Sequence, residues 1–438
     1  MTLVGHSKPV IGVVGLWHLG CTISACWTNL GHQVKAVDPD EKVVRALSSG
    51  RLPVYEPGLE EAVRSGMATG KLTFSASAES LRGCRFVFVA YDTPVRDDDT
   101  SDLTVIEEVV SGMGPFLDPD AVVVVSAQLP AGTARRLRSR LKSVSDTIEL
   151  VYSPENLRLG EAMACYARPG HIVIGADDEA AANEVEKLFS PMEAVCLKMS
   201  LPSAEMTKHA INSFLAASIR LSNQWADLCE AVGSDFFQVA EAMRSDPRIG
   251  KRAYLTPGIG FSGGTLGRDL QVLEQLNREK ARGLSPMFGD IWRYNKSRVQ
   301  VVRNRCQKAL GSVNGRTIAL LGMTYKPGTS TLRRSLPLEV AEDLGKHGAT
   351  LRAYDPKANW KEVQLPAGLT VHDSPYEAIS GADMAVLLTE WPDFLALDYG
   401  RIKAQMAQPL LFDTKSMLRT QHRDLEQLGF KVLTIGRA

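Results

Sequence analysis

Twelve residues, Gly258–Asp269 (GIGFSGGTLGRD), group types that could do chemistry: glycines at 258, 260, 263 and 264 around Phe261, with Thr265, Arg268 and Asp269 at the end. Glycine tolerates positive φ and close backbone approach, so the stretch reads as a tight loop shaped around something. The following Leu270, Leu273 and Leu276 have helical spacing. The loop is therefore expected to lead into a helix N-terminus, whose loose amides and dipole suit an anion or a reacting oxygen. A capping loop with no ligand has the same composition. Lys208 and Asn212 are four apart and share one face of a predicted helix. A cation there can stabilise a developing alkoxide, whereas a lone pair of this kind reads more readily as a solvated face. A third grouping lies at the start of the chain. The apolar run Pro9–Val14 leads into GLWHLG (Gly15–Gly20), and Gln33–Val37 ends in Asp38, twenty-three residues after Gly15. Strand, glycine turn, helix, strand and acid is the dinucleotide-binding order. Gly15, Trp17, Leu19 and Gly20 would line the turn and Asp38 would take the ribose hydroxyls. Asp40 and Glu41 would repel a 2′-phosphate, which favours NAD over NADP. Trp17 stands where the fingerprint wants its second glycine, and His18 is expected to pack at the turn.

The chain that must position these groups has 438 residues, enough for two or three domains, and 44% of them are hydrophobic, enough for a core in each. Fifty basic residues balance fifty acidic ones, so nothing in the charge points to nucleic acid or a membrane surface. Seven cysteines are scattered without a CxxC pair, which argues against zinc and dithiol chemistry and for a reducing cytosol. No metal site is expected. No run reaches about 18 apolar residues, and no signal pattern opens the chain, so a cytoplasmic protein is expected. Strand-like runs at Arg85–Tyr91, Ala121–Val125, Arg316–Leu321 and Leu410–Lys415, with proline- and glycine-rich segments between, predict an α/β fold. Ser203–Val232 has no proline and a clear helical pattern in Met206, Ala210, Phe214, Trp225 and Leu228. The reading is two Rossmann-like open-sheet domains joined by a long central helix. Its boundaries are a dinucleotide-binding domain at 1–200, a central helical region at 201–300 and a second Rossmann-like domain at 301–438.

Across residues 10 to 437 these segments resemble, in order, the UDP-glucose/GDP-mannose dehydrogenase family. Gly258–Asp269 is similar to its GxGFGGxCFPKD loop, Ala204–Ala216 to its AExxKxxxNxxLA helix, and Gly50–Leu59 (GRLPVYEPGL) to NxGxxPxxEPGL. Val151–Gly160 (VYSPENLRLG) is similar to NPEFLREG, and Gly322–Ser335 (GMTYKPGTSTLRRS) to GLAFKPNTDDxRxSP. The resemblance implies NAD as cofactor, with Thr93, Pro94 and Gln128 also beside it. It implies a nucleotide-sugar substrate, UDP-sugar by default, held by Arg158, Arg248, Tyr254, Phe261, Gly263, Lys326 and Arg333. It implies a homodimer through the central helix, with Lys208 and Asn212 at the sugar oxygen, Asp269 assisting proton transfer and Glu155 orienting water.

The resemblance has gaps where the chemistry matters. The family's cysteine traps an aldehyde so that a second oxidation can follow; here that position is Thr265. A thiolate is accessible near neutral pH, while a threonine hydroxyl needs a dedicated base. The family's water-holding threonine corresponds to Gln128, its second glutamate to Leu159, and its two aspartates in the 322–335 loop to Ser330 and Thr331. Three outcomes follow. The chain oxidises a sugar hydroxyl by two electrons and stops; or it makes a uronic acid through an aldehyde hydrate without a covalent step, with Glu155 as base toward the hydrate; or it is a redox-neutral or non-catalytic nucleotide-sugar binder.

Overall fold

A computed structural model describes residues 8–91, 103–155, 157–262, 264–281 and 285–437. The chain forms two compact units, dividing between Ala210 and Ile211. Each unit is built on one open sheet, as the strand-like runs predict.

In the first unit the strands are β1 (Ile11–Val14), β2 (Val34–Val37), β3 (Leu72–Ser75), β4 (Phe86–Val89), β5 (Val122–Val125), β6 (Glu149–Tyr152), β7 (Ile172–Gly175) and β8 (Cys196–Met199). Their order is β3-β2-β1-β4-β5-β6-β7-β8. All neighbours are parallel except β6 and β7, which meet antiparallel at Tyr152 and Gly175. The runs IGVV, FVFV and VVVV are buried along their whole length, because helices cover both faces of a parallel sheet. The order reverses between β1 and β4, the topological switch point where ligands of such sheets bind.

The second unit repeats the plan. β9 (Thr317–Leu321), β10 (Thr350–Tyr354), β11 (Leu369–Val371), β12 (Met384–Leu387), β13 (Leu410–Asp413) and β14 (Lys431–Thr434) lie in the order β11-β10-β9-β12-β13-β14. All are parallel, and the reversal falls between β9 and β12. The long helix Leu201–Ala231 carries the division between the units, close to its predicted span. No helix among the described residues is long and apolar enough to cross a membrane.

Candidate functional site

β1 ends in Gly15, whose φ of +93° only glycine adopts without strain. The helix His18–Asn29 follows at once. A Cβ on Gly20 would fall 1.7 Å from the Gly15 carbonyl oxygen, so the glycine lets the first turn of that helix press against the end of β1. Trp17 caps the helix at φ −87°, ψ −156°, extended backbone that any residue adopts. The missing second glycine therefore costs no backbone strain here. Its indole meets the His18 ring edge-on at 6.0 Å, and Leu19 is buried. Asp38, buried at the end of β2, accepts from Leu16 N at 2.8 Å on one oxygen and from Asp40 N at 3.0 Å on the other. The turn, the helix N-terminus and the acid are thus assembled in one place. Thr93 and Pro94 lie outside the described residues.

Two buried side chains of the central helix fix the loops of the first unit. Glu205 accepts from Gly132 N at 2.6 Å and Ala134 N at 2.7 Å, capping the helix Thr133–Lys142. Burial raises its carboxyl above the usual range, against those hydrogen bonds. One turn on, His209 meets the Leu129 carbonyl at 3.0 Å. Between them they hold the segment that carries half-buried Gln128. Lys208, also buried, donates from Nζ to the Glu155 carbonyl at 2.6 Å. The Glu155 carboxylate turns back onto Leu157 N of its own loop. Arg158 is exposed and pairs with Glu161 at 2.9 Å.

In the second unit, Asn212 donates from Nδ2 to Asp269 at 2.5 Å, and both are buried. The glycine loop is held from several directions. Asn223 Oδ1 accepts from Gly258 N at 2.7 Å, and Arg298 Nη2 donates to Gly258 O at 2.9 Å. Asn295 accepts from Phe261 N at 2.8 Å and returns a bond to its carbonyl at 3.0 Å. Gly260 has φ +106°, and a Cβ there would lie 2.4 Å from Asn295 Oδ1.

The expectation that the loop runs to Asp269 is corrected. Gly264–Lys280 is a single helix, so Thr265, Arg268 and Asp269 are helical. Gly267 is not a loop residue; a Cβ there would lie 2.7 Å from the Trp292 ring, so it serves close helix packing. Thr265 sits exposed in the helix's first turn. Gly263 lies outside the described residues. Phe261 is buried, Tyr254 half-exposed, and Arg248 exposed against Asp246 at 2.6 Å.

At the C-terminal ends of the second sheet, Arg333 pairs through Nε with Glu362 at 3.0 Å. Glu362 also takes Thr331 Oγ1 at 3.0 Å and Leu332 N at 2.7 Å, and so supplies the carboxylate that Ser330 and Thr331 do not. Glu390 lies beside Lys415 at 3.4 Å. Burial pushes its carboxyl up, but the charges of Lys415 and Lys326 outweigh burial and hold it below the usual range. Asn223, Asn295, Arg298 and Glu362 escaped sequence reasoning. For two of them a signal existed: Asn295 and Arg298 continue the face of buried Ile291 at helical spacing, polar residues where an apolar stripe was due.

Three family models match in register with this architecture: the UDP-glucose/GDP-mannose dehydrogenase NAD binding domain over residues 10–193, the central domain over 202–296 and the UDP binding domain over 319–420. The chain belongs to the UDP-glucose/GDP-mannose dehydrogenase family. Its cofactor is accordingly NAD. The residues present fit that group: Gly15 and Gly20 shape the turn and Asp38 retains acceptor capacity at its rim. Among relatives, the chain is 34% identical to the UDP-glucose 6-dehydrogenase of Pseudomonas aeruginosa, covering 97% of each. It is 31% identical to the UDP-glucose 6-dehydrogenase TuaD of Bacillus subtilis over 98% of this chain and 93% of that one. Among solved structures, a UDP-glucose dehydrogenase from Pyrobaculum islandicum superposes with a TM-score of 0.86 at 29% identity, covering 96% of this chain and 97% of that one.

Proposed function

We propose that this family member is an NAD-dependent oxidoreductase that oxidises a hydroxyl of a nucleotide sugar, a UDP-sugar of the glucose type, by two electrons and stops at the carbonyl. The observation that carries the reading is Thr265, a secondary alcohol at the position of the family's thiol, exposed at the start of its helix. Neither cysteine of the second unit offers an accessible thiol in its stead. Cys229 and Cys306 are both buried, and burial pushes the Cys306 thiol up to about 12.

Bound NAD supplies the hydride acceptor. Lys208 places its cation at the sugar oxygen as negative charge develops there. Asn212, oriented by its bond to Asp269, donates to the same oxygen, and the hydroxyl proton passes through bound water to Asp269. Lys326 and Arg333 meet the diphosphate, for which a guanidinium offers a bidentate fork. Glu155 is engaged with Leu157 N, which argues against its serving as base toward an aldehyde hydrate.

The test is stoichiometric. NAD and a panel of nucleotide sugars are supplied, and NADH released per sugar consumed is measured with the product's mass. The expected result is one NADH and a product lighter by two hydrogens, with Thr265→Cys shifting product toward the acid. Two NADH and a carboxylate from the wild type would sink the two-electron reading.

We also infer a homodimer through the central helix. Phe214, Leu221, Trp225, Leu228 and Val232 are exposed at steps of seven, four, three and four residues, which puts one apolar stripe along one face. Sedimentation should show a dimer, and Leu228→Lys with Trp225→Glu should give a monomer; a wild-type monomer at micromolar concentration overturns the inference.

A further inference from the structure

Glu56 belongs to the EPGL motif, whose composition implies only a rigid loop. In the fold its carboxylate is fully buried and serves two separate segments. On Oε2 it accepts from His18 Nε2 at 2.7 Å and from Gly160 N at 2.8 Å; on Oε1 it accepts from Ala162 N at 2.8 Å. His18 is the first residue of the helix that begins at the dinucleotide turn, and it is itself buried. Gly160 and Ala162 close the segment that starts at Glu155 and carries Arg158. The far end of that segment is held by Lys208 Nζ on the Glu155 carbonyl. A path of hydrogen bonds and short backbone thus runs from His18 through Glu56 to Gly160, back along the chain to Leu157, and through the Glu155 carboxylate on Leu157 N to Lys208.

We propose that Glu56 and His18 are positioning residues that set the Glu155–Ala162 segment, and with it Lys208, against the dinucleotide turn. A buried carboxylate with three donors is geometrically fixed, because any displacement strands a charge or an amide away from water. His18 has to present an N–H at this spot; a ring that cannot donate leaves one carboxylate lone pair unmet. A movement of the first turn of the helix when dinucleotide arrives is therefore passed through Glu56 to the Gly160–Ala162 end of the segment. The part concerning Lys208 rests on its proposed role at the sugar oxygen; the part concerning the turn does not.

The experiment compares Glu56→Gln, His18→Phe and His18→Gln in the full chain. NAD binding is read by calorimetry without sugar, and kcat and KM are read with the nucleotide sugar that the wild type turns over. Loss of a hydrogen bond to a charged group is expected to weaken NAD binding about ten-fold in His18→Phe and Glu56→Gln, with kcat falling alongside. His18→Gln, whose amide can donate to Glu56, should recover most of both. If all three variants bind NAD as the wild type does, or if Phe and Gln at position 18 behave alike, the proposal is overturned, even where melting temperature falls. Should the wild type turn over no sugar, the function proposed above fails, while the calorimetric comparison still decides the role of Glu56 and His18. If Glu56→Gln does not fold, the two position-18 variants decide alone.

Discussion

The two sheets end their first strands alike and then diverge. Gly15 N donates to Val37 O at 2.9 Å, and Gly322 N to Tyr354 O at 2.8 Å; both glycines have positive φ. The residue after each glycine donates to an aspartate at the end of the second strand, Leu16 to Asp38 at 2.8 Å and Met323 to Asp355 at 2.7 Å. From there the designs part. Asp38 takes one further backbone donor, Asp40 N. Asp355 is saturated: Met323 N, Thr324 N, Thr324 Oγ1 and Trp391 Nε1 share Oδ2, and Lys357 N and Ala358 N share Oδ1. One acid keeps capacity for a ligand's hydroxyls, and the other is consumed by structure. The first sheet goes straight from its glycine into a helix, so an anion there meets backbone amides and a dipole. The second places the loop 322–335 in between, and there the proposed partners of an anion are the side chains Lys326 and Arg333. Equal topology thus carries two different proposed anion sites, and the residue after the second strand cannot be assigned a role from its position alone.

The largest effect should come from closing the first design. Gly20→Ala improves helix propensity by about 1 kcal/mol. A methyl 1.7 Å from a carbonyl oxygen cannot be accommodated without moving the helix, so the clash wins. The net cost should be about 3 kcal/mol, seen as a drop in denaturant midpoint together with loss of NAD binding by calorimetry. A variant that keeps both would show that the turn and helix are not pressed together.

The two aspartates provide the next test. Asp355→Asn sets an amide N–H₂ among donors and leaves some of them buried and unmet, at a cost of about 3 kcal/mol. Its effect on NAD affinity should be nil. Asp38→Asn disturbs far fewer bonds and should cost about 1 kcal/mol while weakening NAD about ten-fold. Were the stability losses reversed, or were Asp355→Asn to weaken NAD, the contrast between a ligand-ready and a structural acid would break.

This contrast marks how far the residues alone carry. Gly15, Gly20 and Asp38 were legible because turn, helix and acid follow within one βαβ span, where local spacing encodes contact. The sheets were legible for the same reason: IGVV, FVFV and VVVV are apolar throughout, as strands buried on both faces must be. The clamps on the glycine loop were not legible. Asn223, Asn295 and Arg298 reach Gly258 and Phe261 from 34 to 40 residues away, and a bond across that gap leaves no periodic trace. Glu56 was hidden in the same way, since its partners lie 38, 104 and 106 residues off. The helix start was misjudged because glycines at 264 and 267 mimic a loop, whereas Gly267 is there to admit the Trp292 ring.

The smallest expected effect lies on the side-chain design of the second sheet. Glu362 holds the Arg333 guanidinium at 3.0 Å and also takes Thr331 and Leu332. Arg333 is mostly exposed, so the ion pair contributes little to stability, within about 1 kcal/mol. Its weight should fall on ligand binding, where the carboxylate screens a cation proposed to meet a diphosphate. Glu362→Gln keeps an acceptor for the Leu332 amide and removes the charge. The expected result is a KM for nucleotide sugar lower by about two- to three-fold, with kcat unchanged and a steeper dependence of KM on salt. A raised KM would mean that Glu362 orients Arg333 rather than competing for it. That outcome would bring the second sheet closer to the first, where the anion's neighbours are held by the fold and not contested by another side chain.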